Sequence, residues 1–235
     1  MFVQLVAIVV LAGFAGLAHA EDRPVLKTDK DKVSYSIGLD IGTNFKRQSV
    51  DLDQKALAAG IADGLSGGKP LLTEDEVRKV LAQFQQQMAA KAQQMAQQLA
   101  DKNQKEGEVF LAENKKKKGV ITLPSGLQYQ VIKAGTGKIP KATDTVTTHY
   151  RGTLIDGTEF DSSYKRGEPA SFPVNGVIKG WTEALQLMKV GSKWQLFIPS
   201  NLAYGPQGAG QVIGPNATLI FEIELLAIKK EEKGG

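Results

Sequence analysis

The sequence contains no cysteine and only two histidines among its 235 residues. The lack of cysteine excludes disulfides, thiol nucleophiles, thiolate metal sites and an acylated N-terminal cysteine. One of the histidines, His19, falls within the first twenty residues, so a chain without that segment would keep only His149. Most zinc sites and acid–base catalytic groups need more of these side chains. We therefore expect neither a metal nor a cofactor.

The charge of the chain is nearly balanced, with 29 Lys and Arg against 25 Asp and Glu. The basic residues are scattered, apart from one run over Lys115–Lys118. We expect that run to complement the dipole of a preceding helix and to stay solvated. A net charge of +4 without a basic face gives no reason to expect a nucleic-acid partner.

The chain begins with one long apolar run, from Phe2 to Ala18, which only Gln4 interrupts. Ala18-His19-Ala20 then matches the small-x-small pattern of a signal-peptidase site. We predict a signal peptide over residues 1–20 and a protein exported to the periplasm, with outer-membrane or surface association left open. The alternative is a retained anchor, because the run is almost long enough to span a membrane.

Residues 21–72 are predicted to form a helical region with two short helices. The first has an apolar residue at every fourth position, namely Val33, Ile37, Ile41 and Phe45. Gly38 and Gly42 beside this stripe would let another backbone come close, either within the chain or in a second copy. Because so small a region cannot hold a core alone, we expect a homodimer through residues 28–68.

Residues 73–118 are predicted to form a long connecting helix, which ends near residue 115. Thr73 and Glu76 match a capping box at its start. Its second half consists mostly of Ala, Gln, Lys and Glu, which is typical of a helix that bridges domains through solvent. The alternative is a helix packed along the following domain, and Gly107 is a point where the helix could bend.

Residues 119–235 change to the period-two alternation of strands. Asp156-Gly157 is a strong hairpin signal, and helical spacing appears between Ile178 and Met188. An antiparallel sheet wrapped on one short helix, an α+β domain, is therefore predicted. The candidate strands are 127–132, 146–155, 158–161, 170–174, 193–198 and 218–228.

Aromatic residues lie on several of these candidate strands, at Tyr150, Phe160, Phe172 and Phe221, with Trp181 on the short helix. Such a set favours a small, dry, aromatic-lined bowl that suits an apolar ring. The ring that proteins most often present on an exposed chain is that of proline.

Residues 119–228 resemble the FKBP family of peptidyl-prolyl cis-trans isomerases. The resemblance rests on five stretches in matching order and spacing: His149–Leu154, Asp156–Ser163, Val177–Trp181, Ile198–Gly205 and Ile213–Phe221. Residues 29–118, with Tyr35–Gly38, are similar to the bacterial macrophage infectivity potentiator type, whose members are exported and dimerise through this region.

The resemblance implies the residues of the site. Trp181 would form the floor under the proline ring. The residues expected to act in catalysis are Tyr150, Phe160, Asp161, Trp181, Tyr204 and Phe221, and those expected to bind the substrate are Phe172, Val177, Ile178, Val212 and Ile213. Asp161 would act directly on the rotating bond or hold a side chain such as Tyr150. Ala209 stands where several members carry histidine.

The resemblance also implies the function, isomerisation of prolyl bonds in proline-containing peptides and unfolded exported proteins, with macrolides as expected inhibitors. The alternative is a dimeric holdase chaperone whose pocket docks proline with little catalysis. Prolyl isomerisation needs no nucleophile, because its ~18–20 kcal/mol barrier is a bond rotation. His149 should face away from the bowl, since it precedes Tyr150 on an alternating strand.

Overall fold

The computed structural model of the chain describes residues 24–229, so the predicted signal segment, residues 1–20, lies outside the described residues. The chain divides into two compact units, which meet in sequence between Thr73 and Glu74. None of the helices described has both the length and the apolar character that a membrane span requires.

The first unit contains helices α1 (Asp29–Arg47) and α2 (Gln54–Ser66), as predicted. Thr28 and Asp31 form a capping box at the start of α1, and the Asp53 carboxylate accepts a 2.8 Å hydrogen bond from the Ala56 N–H at the start of α2. Neither helix has a buried residue. Val33 and Ile37 are 59% and 57% exposed, so the α1 stripe faces solvent in the single chain.

Helix α3 (Glu74–Asn114) opens the second unit and confirms the predicted long helix. Its 41 residues extend over about 60 Å at 1.5 Å per residue. Its buried residues are Ala100, Gly107 and Asn114, which are spaced seven apart and therefore lie on one side of the helix.

The last four turns of α3 pack against the domain that follows, so the prediction of a solvent bridge is wrong for this part. The Phe110 and Phe197 ring centroids are 5.9 Å apart. The Asn114 amide donates to Gln128 Oε1 over 3.0 Å, and the Gln128 amide donates to the Leu111 carbonyl over 2.9 Å. Apart from the Phe110 ring, the contact uses small and amide side chains, which is why an apolar-stripe analysis missed it.

Gly107 marks a close approach of helix and domain. A Cβ built at this position would overlap the Thr218 hydroxyl and come within 3.2 Å of Thr218 Cβ. Thr218 is buried and β-branched, so its side chain has little freedom to move away. The glycine is therefore required for packing.

The remaining chain forms one antiparallel sheet in the order β1-β2-β6-β7-β3-β4, with β5 also paired to β3. Strand β1, only three residues long, is absent from the predicted set because so short a segment shows no periodicity. The strands and the one-turn helix α4 are β1 (Val120–Thr122), β2 (Gln128–Lys133), β3 (Thr145–Leu154), β4 (Glu159–Ser162), α4 (Ser163–Arg166), β5 (Ala170–Pro173), β6 (Lys193–Ile198) and β7 (Leu219–Lys229).

Helix α5 (Lys179–Leu185) supplies the other half of the core. Trp181, Leu185 and Met188 are buried together with the inward residues of β3, β6 and β7. Strand β3 alternates buried and half-exposed positions over most of its length, which orients Tyr150 inward. The predicted α+β fold, a sheet on a short helix after a helical region and a long helix, is confirmed.

Candidate active site

A cavity of about 670 Å³ opens on the core side of the sheet. Residues from β3, β4, β5, β7, α5 and the loop between β6 and β7 line it. The structure brings all eleven sequence-predicted site residues into this one cavity: Tyr150, Phe160, Asp161, Phe172, Val177, Ile178, Trp181, Tyr204, Val212, Ile213 and Phe221.

The Trp181 indole is the centre of the aromatic cluster. Its ring centroid lies 5.3 Å from that of Tyr150, 5.7 Å from Phe172 and 5.2 Å from Phe221, each at an interplanar angle near 84°. Edge-to-face pairs of this kind place the positive ring edge against the negative ring face. The three neighbours therefore hold the indole in a single orientation.

Gly152 determines how closely the Phe160 and Phe221 rings approach each other. Their centroids are 5.4 Å apart in an edge-to-face pair. A Cβ at Gly152 would come within 2.5 Å of the Phe160 ring and 2.7 Å of the Phe221 ring. Any side chain at this position would force the rings apart.

Three polar side chains form one hydrogen-bonded group at the edge of the aromatic wall. The Tyr150 hydroxyl donates a 2.6 Å hydrogen bond to Asp161 Oδ2, and Arg166 Nη2 donates a 2.7 Å bond to the Tyr150 oxygen. Arg166 also forms an ion pair with Asp161. The three side chains thus fix one another. Of the two roles expected for Asp161, holding the Tyr150 side chain agrees with this geometry.

These contacts set the protonation states of the group. Burial by itself would raise the pKa of Asp161, but hydrogen bonds from Tyr150 and Arg166 and the Arg166 charge outweigh it, so the pKa lies below its usual range. Burial and the hydrogen bond to Asp161 raise the pKa of Tyr150. Near neutral pH, the carboxylate is therefore charged and the phenol is protonated.

The loop between β6 and β7 closes one side of the cavity through its own hydrogen bonds. Ala209 and Ile213 pair as an isolated bridge, with N–H to oxygen distances of 2.8 and 3.2 Å. The Asn216 N–H donates to the Gly205 carbonyl over 2.8 Å and ties the ends of the loop together. Val212 and Ile213 are thereby positioned on the cavity wall.

Sequence reasoning missed Arg166, which lies five residues after Asp161 on α4. Ser162 caps this one-turn helix and Gly167 ends it with a φ of 80°. The Ser-to-Gly spacing is the only signal that could have indicated the turn. The cavity is also lined by Gly176, Ala209, Gly210 and Gln211, which were not among the predicted site residues.

His149 lies on the other face of β3, as predicted. Its ring stacks on Tyr164 at a centroid distance of 4.7 Å, and its Nδ1 is 3.0 Å from the Ser163 hydroxyl. It is not among the residues that line the cavity.

An aromatic cavity that holds one charged carboxylate, itself already paired with an arginine, offers an apolar ring a place to bind. Two family models match the chain. Residues 136–226 match the FKBP-type peptidyl-prolyl cis-trans isomerase, and residues 30–131 match the domain amino-terminal to FKBP-type peptidyl-prolyl isomerase.

Curated relatives cover most of the chain. It is 53% identical over 226 residues to the "Outer membrane protein MIP" of Legionella longbeachae, a match that spans 94% of this chain and 97% of the relative. It is 48% identical over 206 residues to the "Peptidyl-prolyl cis-trans isomerase Mip" of Coxiella burnetii, across 88% and 90% of the two chains.

A solved structure shares this architecture. The crystal structure of FkpA from Escherichia coli matches with a TM-score of 0.71 at 40% identity, over 87% of this chain and 99% of that chain. The chain belongs to the FKBP-type peptidyl-prolyl cis-trans isomerase family, in the group that includes Mip and FkpA, and is an enzyme of that type. A holdase without catalysis is not favoured over this assignment.

We predict that Arg166→Leu raises the pKa of Asp161, because the variant loses an adjacent positive charge and a hydrogen bond. A carboxylate with a lowered folded-state pKa stabilises the protein above its unfolded pKa of about 3.9, and this contribution is lost as pH falls through the folded value. The variant should therefore lose less stability than the unchanged chain as the pH falls below about 5. A pH titration of the Asp161 carboxyl carbon by NMR measures the shift.

Arg151→Leu is the matched control, because Arg151 pairs with Glu159 over 2.6 Å and does not contact Asp161. An Asp161 pKa that is equal in the unchanged chain and in Arg166→Leu would contradict the role given to Arg166.

Proposed function

We propose that the cavity binds the ring of a prolyl residue and lowers the barrier to rotation of the bond before it, without a covalent intermediate. The observation that carries this proposal is the cavity of about 670 Å³ around Trp181. Trp181 itself is only 4% exposed and is proposed to form the floor under the proline ring. A pyrrolidine ring seated there leaves the preceding amide at the cavity mouth.

The barrier falls only if the site prefers the twisted amide to both planar forms. Twisting breaks the conjugation of the amide and makes it less polar, so a water-poor aromatic wall favours the twisted state over the planar one. The barrier in water is ~18–20 kcal/mol, and each 1.36 kcal/mol of selective stabilisation increases the rate tenfold.

Two polar groups are proposed to hold the peptide while the bond turns. Ile178 is the N-cap of α5, so its carbonyl accepts from the helix while its own N–H lies outside the helical hydrogen bonds. This N–H and the Tyr204 hydroxyl are the donors proposed for substrate carbonyls.

Asp161 is proposed to act by position rather than by direct contact with the rotating bond. Its carboxylate is already bound by Tyr150 and Arg166. The arrangement supports a role in which Asp161 keeps the Tyr150 ring in its edge-to-face orientation against Trp181. Phe160, Phe221 and Phe172 would contact the substrate as apolar walls, with Val177, Val212 and Ile213 at the sides.

The proposed substrates are proline-containing peptides and unfolded exported proteins, with macrolides as competitors for the cavity. The periplasm is the proposed location, in line with the apolar start of the sequence and with the outer-membrane name of the Legionella longbeachae relative. The proposed division of labour assigns catalysis to residues 119–235 and pairing to residues 21–72, with residues 73–118 between them.

The test of the proposed mechanism is prolyl isomerisation of a short peptide by the full chain. Phe160→Ala should lower kcat/KM about 10- to 100-fold, because the site loses one apolar wall worth about 1.5–3 kcal/mol. Asp161→Ala should also lower it, and a macrolide should inhibit the unchanged chain.

Tyr164→Ala is the control, since this aromatic residue stacks on His149 away from the cavity. Full activity in both Phe160→Ala and Asp161→Ala would contradict the mechanism. If both variants also prevented aggregation of a proline-free client as well as the unchanged chain does, that result would favour the holdase alternative.

We also propose that the chain forms a homodimer through residues 28–68. The supporting observation is the α1 stripe, three of whose four apolar side chains are exposed in the single chain even though the helix is capped and regular. The space beside Gly38 and Gly42 is open, with nothing within 4 Å of a Cβ built at either position. A second copy of α1 could therefore approach the stripe closely.

Ile37→Asp combined with Ile41→Asp should convert the dimer to a monomer, because each buried carboxylate would lack a partner. Sedimentation velocity measures the change, and isomerisation of a short peptide should continue in the monomer. A variant that sediments as an intact dimer would show that the stripe is not the interface.

A further inference from the structure

We call the cavity around Trp181 the prolyl cavity. Two further depressions lie beside it, where α3 packs on the sheet domain. The nearer one, of about 260 Å³, is lined by α3 residues Leu99 and Lys102 and by Leu154 at the end of β3. The farther one, of about 500 Å³, is lined by Val109 and Phe110 of α3 and by Ile155 after β3.

The three depressions are neighbours that share lining residues. Gln211 and Val212 line both the prolyl cavity and the nearer depression. Glu106, Ile155 and Asp156 line both the nearer and the farther depression. A chain that leaves the prolyl cavity over Val212 would therefore meet the two depressions in turn, and we refer to the two together as the groove along α3.

The wall of this groove is held in place by direct contacts. The Asn103 amide donates a 2.8 Å hydrogen bond to the Pro215 carbonyl. Leu99 lies against Gly214, where a Cβ would come within 3.2 Å of its side chain. The groove is therefore formed by the folded second unit itself.

The length of the groove suits an extended peptide. From Leu99 to Val109 the helix advances about 15 Å at 1.5 Å per residue. An extended chain covers that distance with about five residues at ~3.3 Å each.

The chemistry of the groove favours apolar side chains. Val109 is 65% exposed and Leu99 is 42% exposed, although both flank a packed helix face. The charged residues of the groove balance one another, with Lys102 and Lys105 against Glu106 and Asp156. A polar rim of balanced charge around apolar contacts favours a bound segment with apolar side chains over one with a net charge.

We propose that this groove, lined by Leu99, Lys102, Glu106, Val109, Ile155 and Val212, binds the apolar segment of a substrate chain that flanks its proline. The proposal rests on the proposed function of the prolyl cavity. Helix α3 would thereby extend the substrate site well beyond the isomerised bond. It would make the enzyme more efficient on unfolded proteins than on short peptides.

The test compares three synthetic substrates with the full chain: a proline tetrapeptide, the same peptide extended by about eight apolar residues on either side, and the same extension in Gly and Ser. The apolar extension should increase kcat/KM about tenfold, and the Gly/Ser extension should give little gain. Val109→Lys should abolish the gain while turnover of the tetrapeptide continues, because Val109 lies outside the prolyl cavity.

Gln104→Lys is the matched control, since it adds the same charge at an exposed position of α3 that does not line the groove. The apolar gain should persist in this variant.

Three results would overturn the proposal: no gain from the apolar extension, an equal gain from Gly/Ser, or a gain that survives Val109→Lys. Altered sedimentation of Val109→Lys would assign the groove to contact between copies and overturn it too. Failure of the unchanged chain to turn over the tetrapeptide would instead contradict the function of the prolyl cavity.

Discussion

The absence of a side chain at Gly152 is the constraint on which the cavity depends. The Phe160 and Phe221 rings occupy the space that a Cβ at this position would take. Phe221 in turn packs edge-to-face against Trp181 at 5.2 Å, so the position of the indole depends on the position of the Phe221 ring. The fold supplies a sheet and a helix, but the close approach at one glycine gives the cavity its shape.

The polar part of the site is arranged so that it does not disturb the apolar part. A charged carboxylate beside an aromatic wall would draw in water, but Asp161 already accepts a hydrogen bond from Tyr150 and forms an ion pair with Arg166. Charge-assisted hydrogen bonds of this kind are about twice as strong as neutral ones. They hold the Tyr150 ring, which contacts both Phe172 and Trp181. The same two side chains, Asp161 and Arg166, therefore neutralise each other's charge and position the Tyr150 ring.

The fold and the cavity could be predicted from sequence to different depths. Alternation along β3 and the Asp156-Gly157 turn are local patterns, and both predicted the observed hairpin. Contacts across the chain leave no such pattern. The burial of Gly107 on Thr218 depends on residues more than a hundred positions apart, and the glycine suggested only a bend.

The site shows the same limit. The aromatic residues were recognisable because a family pattern fixes their order, and all five line the same cavity. Arg166 was missed because its place beside Asp161 depends on a single helical turn, which is too short for any periodicity. The groove along α3 could not be predicted either. A helix of mostly polar composition is expected to lie in solvent, and this composition does not indicate that α3 packs on the sheet domain with Leu99 and Val109 at the edge of the contact.

The shape of the cavity is tested most directly by the isomerase activity of Gly152→Ala, measured on a short prolyl peptide at a temperature where circular dichroism shows a folded chain. One added methyl group must push the Phe160 and Phe221 rings apart, so kcat/KM should fall at least about tenfold. An unchanged kcat/KM in the folded variant would contradict a mechanism that depends on closely packed rings around a twisted amide.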